Sequence, residues 1–173
     1  MKSWRLAVGV GLVCLIVSAV VWAQGKAATD MESQIRKATF SYYIGLILGE
    51  PDEYFKGVKT PLLVTNDGVS QPRDEKYLRD MIGTIKKRTS AAKFTDDDRK
   101  NIVKNIFGAV DDSSVQFVGA DTATISFVVQ HDEKKMSDRM CSLLLHREGK
   151  DKPEWKIIQE ITDSKPVPPE YLK

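Results

Sequence analysis

The chain has 173 residues, 42% of them hydrophobic, which suits one domain with a buried core and hardly leaves room for two. Its formal net charge of +2 at pH 7 is too small to indicate a nucleic-acid-binding protein. A metal site would need more ligands than the two histidines and a distant acidic residue supply, so we predict no metal, and we expect no cofactor.

The first 23 residues have the pattern of a cleavable signal peptide. Two basic residues flank the start of an uncharged apolar run, residues 6–23, and Val21 and Ala23 suit the −3 and −1 positions of a signal-peptidase site. We therefore predict export to the periplasm or the medium, with Gln24 as the first mature residue. An uncleaved membrane anchor is the alternative, because this run just reaches the length that spans a bilayer.

Removal of this segment changes both the charge and the cysteine content. It takes two of the 26 basic residues and no acidic one, since the first acidic residue is Asp30, and leaves 24 of each sign. The mature chain is formally neutral, so we expect no nucleic-acid partner. Cys141 becomes the single cysteine, which excludes an internal disulfide and predicts a buried, inert thiol.

The first predicted helix follows a polar linker, residues 24–30. Thr29 and Glu32 form a capping box at its start, and Gly49 with Pro51 just beyond marks its end. Two neighbouring stripes of this helix are mostly apolar or aromatic, as expected of a helix packed inside a fold. Their members are Ile35, Thr39, Tyr42 and Leu46, and Phe40, Tyr43 and Ile47.

The middle of the chain reads as further helices. A helical turn is predicted over 52–59, and a short strand over 61–64 is followed by a turn over 65–68. Ser70 and Pro72 are expected to open a second long helix. Thr95, with Asp98 at the capping-box position, predicts the start of a third.

The last third of the chain, residues 115–163, reads as four consecutive strands. Their sequences are VQFV, TATISFVVQ, RMCSLLLHRE and EWKIIQEITD, separated by glycine-containing or charged turns. Helices followed by such a meander predict an α+β fold, a curved antiparallel sheet of about four to five strands packed on three helices. The domain is expected to span 31–163, with a proline-rich tail over 164–173.

Two segments resemble the NTF2-like (SnoaL-like, cystatin-like cone) superfamily. The first is FSYYIGLILGEPDEYF, residues 40–55, and the second joins GADTATISFVV to RMCSLLLHREGKDKPEWKII, over 119–158. The resemblance implies an α+β cone and is almost silent on function, because such cones include enzymes, ligand binders and secretion-system components.

This resemblance, together with helix spacing, implies a pocket at the open end of the cone. Its lining would come from the first helix, the helical turn after it and the third strand of the meander. The candidate lining residues are Tyr42, Tyr43, Leu46, Phe55, Ser142, Leu144 and His146.

Tyr42 is the first candidate for catalysis. It lies seven residues before Gly49, where the resemblance implies the oxyanion-binding tyrosine of ketosteroid-isomerase-like members. That chemistry also needs a carboxylate base and a protonated carboxylic acid, and the central positions of strands 122–130 and 139–147 have neither. We therefore predict no catalytic residue and expect Tyr42 to pack in the core with its hydroxyl satisfied. His131 and His146 are expected to be ordinary sheet or loop residues.

Three functional classes follow. The preferred one is an exported, non-enzymatic domain that binds a small apolar ligand or a protein. The alternatives are a ketosteroid-isomerase-like or dehydratase-like enzyme that uses Tyr42, and a membrane-anchored assembly component similar to the VirB8-like cones of secretion systems. Strands 139–147 and 154–162 carry apolar residues on both faces, which predicts that a second copy covers the outer face as a homodimer. Trp155 is expected to pack, or to mark such a dimer face.

Overall fold

The computed structural model describes residues 29–92, 94–130, 138–149 and 152–162. The predicted signal peptide, His131 and the proline-rich tail lie outside these residues. The chain divides into two units, 1–33 and 34–173. The described part of the first unit, 29–33, is helical, and the side-chain contacts and the cleft described below involve residues of the second unit.

Helix α1 spans residues 29–48 and ends at Gly49, as its sequence predicts. Gly49 has a φ of +69°, and a Cβ atom there would lie 2.4 Å from the backbone nitrogen of Lys86. Both the left-handed backbone and this close approach require glycine. Helix α2, Pro51–Gly57, follows at once and has proline in its first turn.

Strands β1 (Val58–Asn66) and β2 (Val69–Arg73) form a hairpin. Its two-residue turn, Asp67 and Gly68, has positive φ at both positions, which matches the twist of the flanking strands. The turn predicted over 65–68 is confirmed, but the helix expected from Ser70 and Pro72 is wrong there. Both residues belong to β2, which is an edge strand, and an edge tolerates the missing N–H of proline.

Two longer helices come next, α3 (Glu75–Ala91) and α4 (Asp96–Asp111). Asp74 caps α3 by accepting a 2.7 Å hydrogen bond from the backbone nitrogen of Tyr77. The predicted capping box of α4 is present, since the Thr95 hydroxyl accepts from the backbone nitrogen of Asp98 and the Asp98 carboxylate accepts from the backbone nitrogen of Thr95. The Thr95 hydroxyl also donates a 2.7 Å hydrogen bond to the Asp98 carboxylate, and this bond, together with the one from the Thr95 backbone nitrogen, lowers the pKa of Asp98.

The four predicted meander strands are present, and they form one sheet with the hairpin. They are β3 (Ser114–Phe117), β4 (Thr122–Gln130), β5 (Asp138–Glu148) and β6 (Glu154–Thr162). The strand order is β2-β1-β6-β5-β4-β3. The predicted α+β class is confirmed, with a curved, unclosed sheet of six strands. One pairing, β1 with β6, is parallel and the others are antiparallel.

One face of the sheet packs against α1. On β5 this face carries Cys141, Leu143 and Leu145, which are buried, while the intervening residues point to the other face. Tyr43 of α1 confirms the orientation, because its ring lies 5.1 Å from that of Phe127, the register partner of Cys141. No helix in the described residues has the length and hydropathy needed to cross a membrane.

Candidate functional site

The most unusual buried contact joins α1 to β6. The hydroxyl of Tyr42 donates a 2.7 Å hydrogen bond to Oε2 of Glu160, and the Tyr42 side chain is only 1% exposed. A carboxyl group at this depth needs a hydrogen-bond partner. A buried polar group without one destabilises the fold by on the order of 1–3 kcal/mol when it is neutral, and by more when it is charged.

A β-bulge aims Glu160 at the helix. Trp155 and Ile157 are buried on the inner face of β6, and strict alternation would place Gln159 there next. The register between β5 and β6 shifts between Leu144 and Leu145, so that Glu160 lies opposite the buried Leu143. The extra residue of a bulge reverses the alternation, and a charged side chain thereby enters the core face.

Aromatic rings surround this pair. The Tyr54 ring lies 5.2 Å from that of Tyr42, and the Tyr43 ring meets it edge-on at 4.8 Å. Gly45 permits the approach of α2 to α1, because a Cβ atom there would lie 2.3 Å from the backbone nitrogen of Tyr54. Phe55 continues the group, 5.2 Å from Tyr54.

A second polar contact lies one residue along α1. The Tyr43 hydroxyl and the Cys141 thiol are 3.1 Å apart, and Cys141 is buried. Burial raises the pKa of the Cys141 thiol to about 12, against the smaller opposing effect of the Tyr43 hydrogen bond. The thiol is therefore protonated at neutral pH, as the sequence predicted for an inert cysteine.

Burial also dominates the ionisation of the other groups. It raises the pKa of Glu160, and the hydrogen bond from Tyr42 opposes this only in part. Burial raises the pKa of Tyr42, Tyr43 and Tyr54 as well, and the nearby Glu160 adds to each effect. The phenols therefore remain hydrogen-bond donors at neutral pH, next to a carboxyl group that holds its proton more tightly than usual.

The structure does not bring the seven predicted pocket residues into one cluster. Tyr42, Tyr43 and Phe55 share the aromatic group, and Leu46 is half-buried on the same helix. The other three, Ser142, Leu144 and His146, lie on the opposite face of β5. There the Ser142 hydroxyl is 2.8 Å from that of Ser126. The cause is the two-residue alternation of β5, whose inward positions are the odd-numbered residues.

A cleft of about 440 Å³ lies on the same side of the sheet as α1, beside its first half. We call it the lysine cleft. Residues of α1, the end of α2, the turn after β5 and the start of β6 line it. They are Gln34, Lys37, Ala38, Ser41, Lys56, Lys152, Pro153, Glu154, Trp155 and Lys156.

Trp155 forms part of the wall of this cleft and is 2% exposed. Its ring meets that of Phe117 edge-on at 6.2 Å, so the predicted packing role is confirmed. Its indole Nε1 is buried and has no hydrogen-bond partner among the residues that the structure describes.

Sequence reasoning missed both Glu160 and the lysine cleft. No local signal in EWKIIQEITD marks the bulge, so strict alternation along the strand would predict that the Glu160 side chain points to the outer face. The lysines of the cleft come from separate segments and form no motif. Over the described ranges, no group of three or more histidine, cysteine or acidic residues is arranged to hold a metal ion.

The architecture is the one that the resemblance implied: a helix with an aromatic stripe, a short second helix, and an unclosed sheet ending in a four-stranded meander. This architecture is consistent with the NTF2-like fold. Among NTF2-like proteins the same framework serves enzymes and non-enzymes, so the fold leaves the function open.

Comparison with known proteins gave structural neighbours only. No family model and no curated protein matches the chain. A candidate ketosteroid isomerase from Shewanella frigidimarina is 11% identical, with a TM-score of 0.42, over 75% of this chain and 94% of its own. A domain of unknown function with a cystatin-like fold from Nostoc punctiforme is 12% identical, with a TM-score of 0.40, over 84% and 80%.

A candidate scytalone dehydratase from Novosphingobium aromaticivorans is similar to the same degree. It is 13% identical, with a TM-score of 0.40, over 80% of this chain and 86% of its own. These neighbours include named enzymes and a protein of unknown function, and at such identities they do not assign an activity.

Proposed function

We propose that this chain is an exported, non-enzymatic NTF2-like domain whose small-molecule ligand binds in the lysine cleft. The observation that carries the proposal is the cleft itself, because its volume of about 440 Å³ lies within the range of about 300–1,000 Å³ typical of ligand sites. The cleft combines an aromatic and proline wall, Trp155 and Pro153, with a small number of polar groups.

This proposal moves the ligand away from the centre of the cone. The region predicted as the pocket is occupied by Tyr42, Tyr54 and Leu143, each almost completely buried. The polar character of the cleft also changes the chemistry expected of the ligand, which is not purely apolar.

A blocking substitution tests the proposal. Gln34 is exposed and lines the cleft, so Gln34→Trp is expected to fill it without disturbing the core. The same exchange at exposed Gln71 on β2 serves as the control. Small-molecule fragments screened by NMR should shift resonances of α1 and β6, and only Gln34→Trp should abolish these shifts. Fragments that bind elsewhere, or that bind equally well to Gln34→Trp, would contradict it.

The second candidate is a ketosteroid-isomerase-like or dehydratase-like enzyme, and the Tyr42–Glu160 pair favours it. A phenol and a carboxylic acid are two donors that stabilise a developing enolate in a dry site, and the burial that raises the pKa of Glu160 favours the acid form of that residue. Glu160 supplies the acid that the central strand positions lacked. An enzyme of this kind would also need a carboxylate or histidine base near the pair and an opening for substrate.

Proton exchange tests this second candidate. An enzyme of this kind would exchange hydrogen for deuterium at the carbon next to a ketone carbonyl, and Tyr42→Phe and Glu160→Gln should each abolish the exchange. Two results would contradict the enzyme: no exchange by the wild-type protein on a panel of cyclic and acyclic ketones, or exchange that survives both substitutions. Ligand binding would then be the one remaining proposal.

Export and a free mature form remain part of the proposal. The intact mass of the protein from its native host should begin at Gln24 in the soluble exported fraction. A full-length mass in the membrane fraction would instead favour the anchored assembly class, because residues 6–23 would then remain attached.

The proposed homodimer would use the outer face of the sheet. Ile161 is 41% exposed there, and it lies opposite Ser142 and close to half-buried Leu144. Sedimentation analysis should give a dimer that Ile161→Glu dissociates, while Val69→Glu, at the exposed edge, leaves it intact. A wild-type monomer would refute the dimer.

A further inference from the structure

The charge of the lysine cleft is strongly one-sided. Among the lining residues that the structure describes, four of ten are lysines and Glu154 is the single acid. The mature chain carries equal numbers of basic and acidic residues, so this concentration of positive charge is local and does not reflect the composition of the chain.

Two of the four ammonium groups are neutralised within the fold. Lys56 forms an ion pair with Glu53, and Lys156 forms one with Glu154 at 3.0 Å. The Lys156 ammonium also donates a 2.7 Å hydrogen bond to the backbone oxygen of Lys56. Its side chain is 21% exposed, so this ammonium is held at the wall of the cleft and does not extend freely into solvent.

The other two ammonium groups lack such partners. Lys37 and Lys152 form no hydrogen bond or ion pair with any residue that the structure describes. They reach the cleft from different elements, Lys37 from α1 and Lys152 from the turn between β5 and β6. Within the described part of the chain, these two positive charges are therefore uncompensated and line one concavity, where an anion would interact with both.

The remaining lining residues suit a small organic molecule. Ser41 and Gln34 offer uncharged hydrogen-bonding groups on the same face of α1. Ala38, Pro153 and Trp155 offer apolar contact to a hydrocarbon or aromatic body. A ligand with both an anionic group and an apolar body would use both parts of the wall.

We infer that the lysine cleft binds a small organic anion, whose carboxylate or phosphate group is held by Lys37 and Lys152. The inference rests on the proposed function and adds the chemical class of the ligand. A small molecule fits better than a nucleic acid, because the charge lies in a concavity of limited size and does not extend along a surface.

The test compares matched charged and neutral probes. Phenyl phosphate and benzoate are titrated into the protein beside phenol and benzamide, with binding followed by NMR. The anionic probes should bind more tightly than the neutral ones. Rising salt should weaken the binding of the anionic probes and leave that of the neutral probes unchanged. Lys37→Gln and Lys152→Gln should each raise the Kd of the anions by about two- to fivefold, as is usual for partly exposed charges. Lys104→Gln, on the exposed side of α4, is the control and should have no effect.

The outcomes separate the two proposals. Equal binding of charged and neutral probes, blocked by Gln34→Trp, would overturn the anion inference and leave the cleft as a ligand site. Binding of none of the probes would overturn the anion inference, and failure of the wider fragment screen as well would overturn the proposed function. Anion binding that Lys104→Gln weakens equally would reflect general charge attraction and would overturn it too. Preferential binding of a single-stranded oligonucleotide at Lys37 and Lys152 would overturn the assignment to small molecules.

Discussion

The hydroxyl of Tyr42 on α1 reaches Oε2 of Glu160 on β6 at 2.7 Å, across the interface between helix and sheet. The two residues are 118 positions apart in the chain. Because both are largely buried, each satisfies the polar group of the other, and the pair couples the position of α1 to the bulge in β6.

Loss of the phenol should destabilise the fold. In Tyr42→Phe the Glu160 carboxyl loses its Tyr42 donor, and we expect the free energy of unfolding to fall by about 1–3 kcal/mol. Urea denaturation measures the change. Tyr77→Phe is the control, because Tyr77 is exposed and should cost almost nothing. An unchanged midpoint for Tyr42→Phe would show that the hydrogen bond contributes nothing to stability.

The same pair should make stability depend on pH. The pKa of Glu160 is raised in the folded state above its ordinary value of 4.5, so the folded chain holds this proton more tightly than the unfolded chain does. The contribution of Glu160 to stability is therefore greatest below pH 4.5 and is lost as the pH rises through the folded pKa. As the pH rises over this range, the unfolding free energy of wild type should fall relative to that of Glu160→Gln. A constant difference from about pH 4 to about pH 8 would contradict the prediction.

Gly45 should tolerate no side chain. The added Cβ atom of Gly45→Ala would lie 2.3 Å from the backbone nitrogen of Tyr54, and backbone cannot move aside cheaply. We expect a loss of about 1–3 kcal/mol or more, as for other overpacked sites. Gly83→Ala on α3 is the matched control, because nothing lies within 4 Å of its new Cβ atom. This control should gain about 0.5–1 kcal/mol, and equal effects of the two substitutions would refute the close contact.

Cys141 should resist alkylation in the folded protein. Its thiol is buried and its pKa is raised to about 12, so little thiolate exists at neutral pH. Iodoacetamide labelling, followed by mass spectrometry of the peptide that contains Cys141, should be slow in buffer and rapid in urea. Rapid labelling in buffer would show that β5 opens or that the thiol is exposed.

Local features of the fold could be predicted from the sequence because they depend on neighbours in the chain. The end of α1 at Gly49 depends on one backbone angle, and the start of α4 depends on hydrogen bonds between Thr95 and Asp98. The four meander strands follow from their alternation and turns. Each of these signals lies within a few residues, so the α+β class and the NTF2-like resemblance could be read from the sequence alone.

The candidate sites depend on contacts that only the tertiary structure decides. The β-bulge that turns Glu160 inward arises from the register between β5 and β6. The sequence EWKIIQEITD contains no local signal that predicts this register. Ser70 and Pro72 form an edge strand because β1 is there to pair with. The lysine cleft joins residues that lie more than 100 positions apart in the chain. Strand register and long-range packing place these side chains together, since local preferences act only over a few residues.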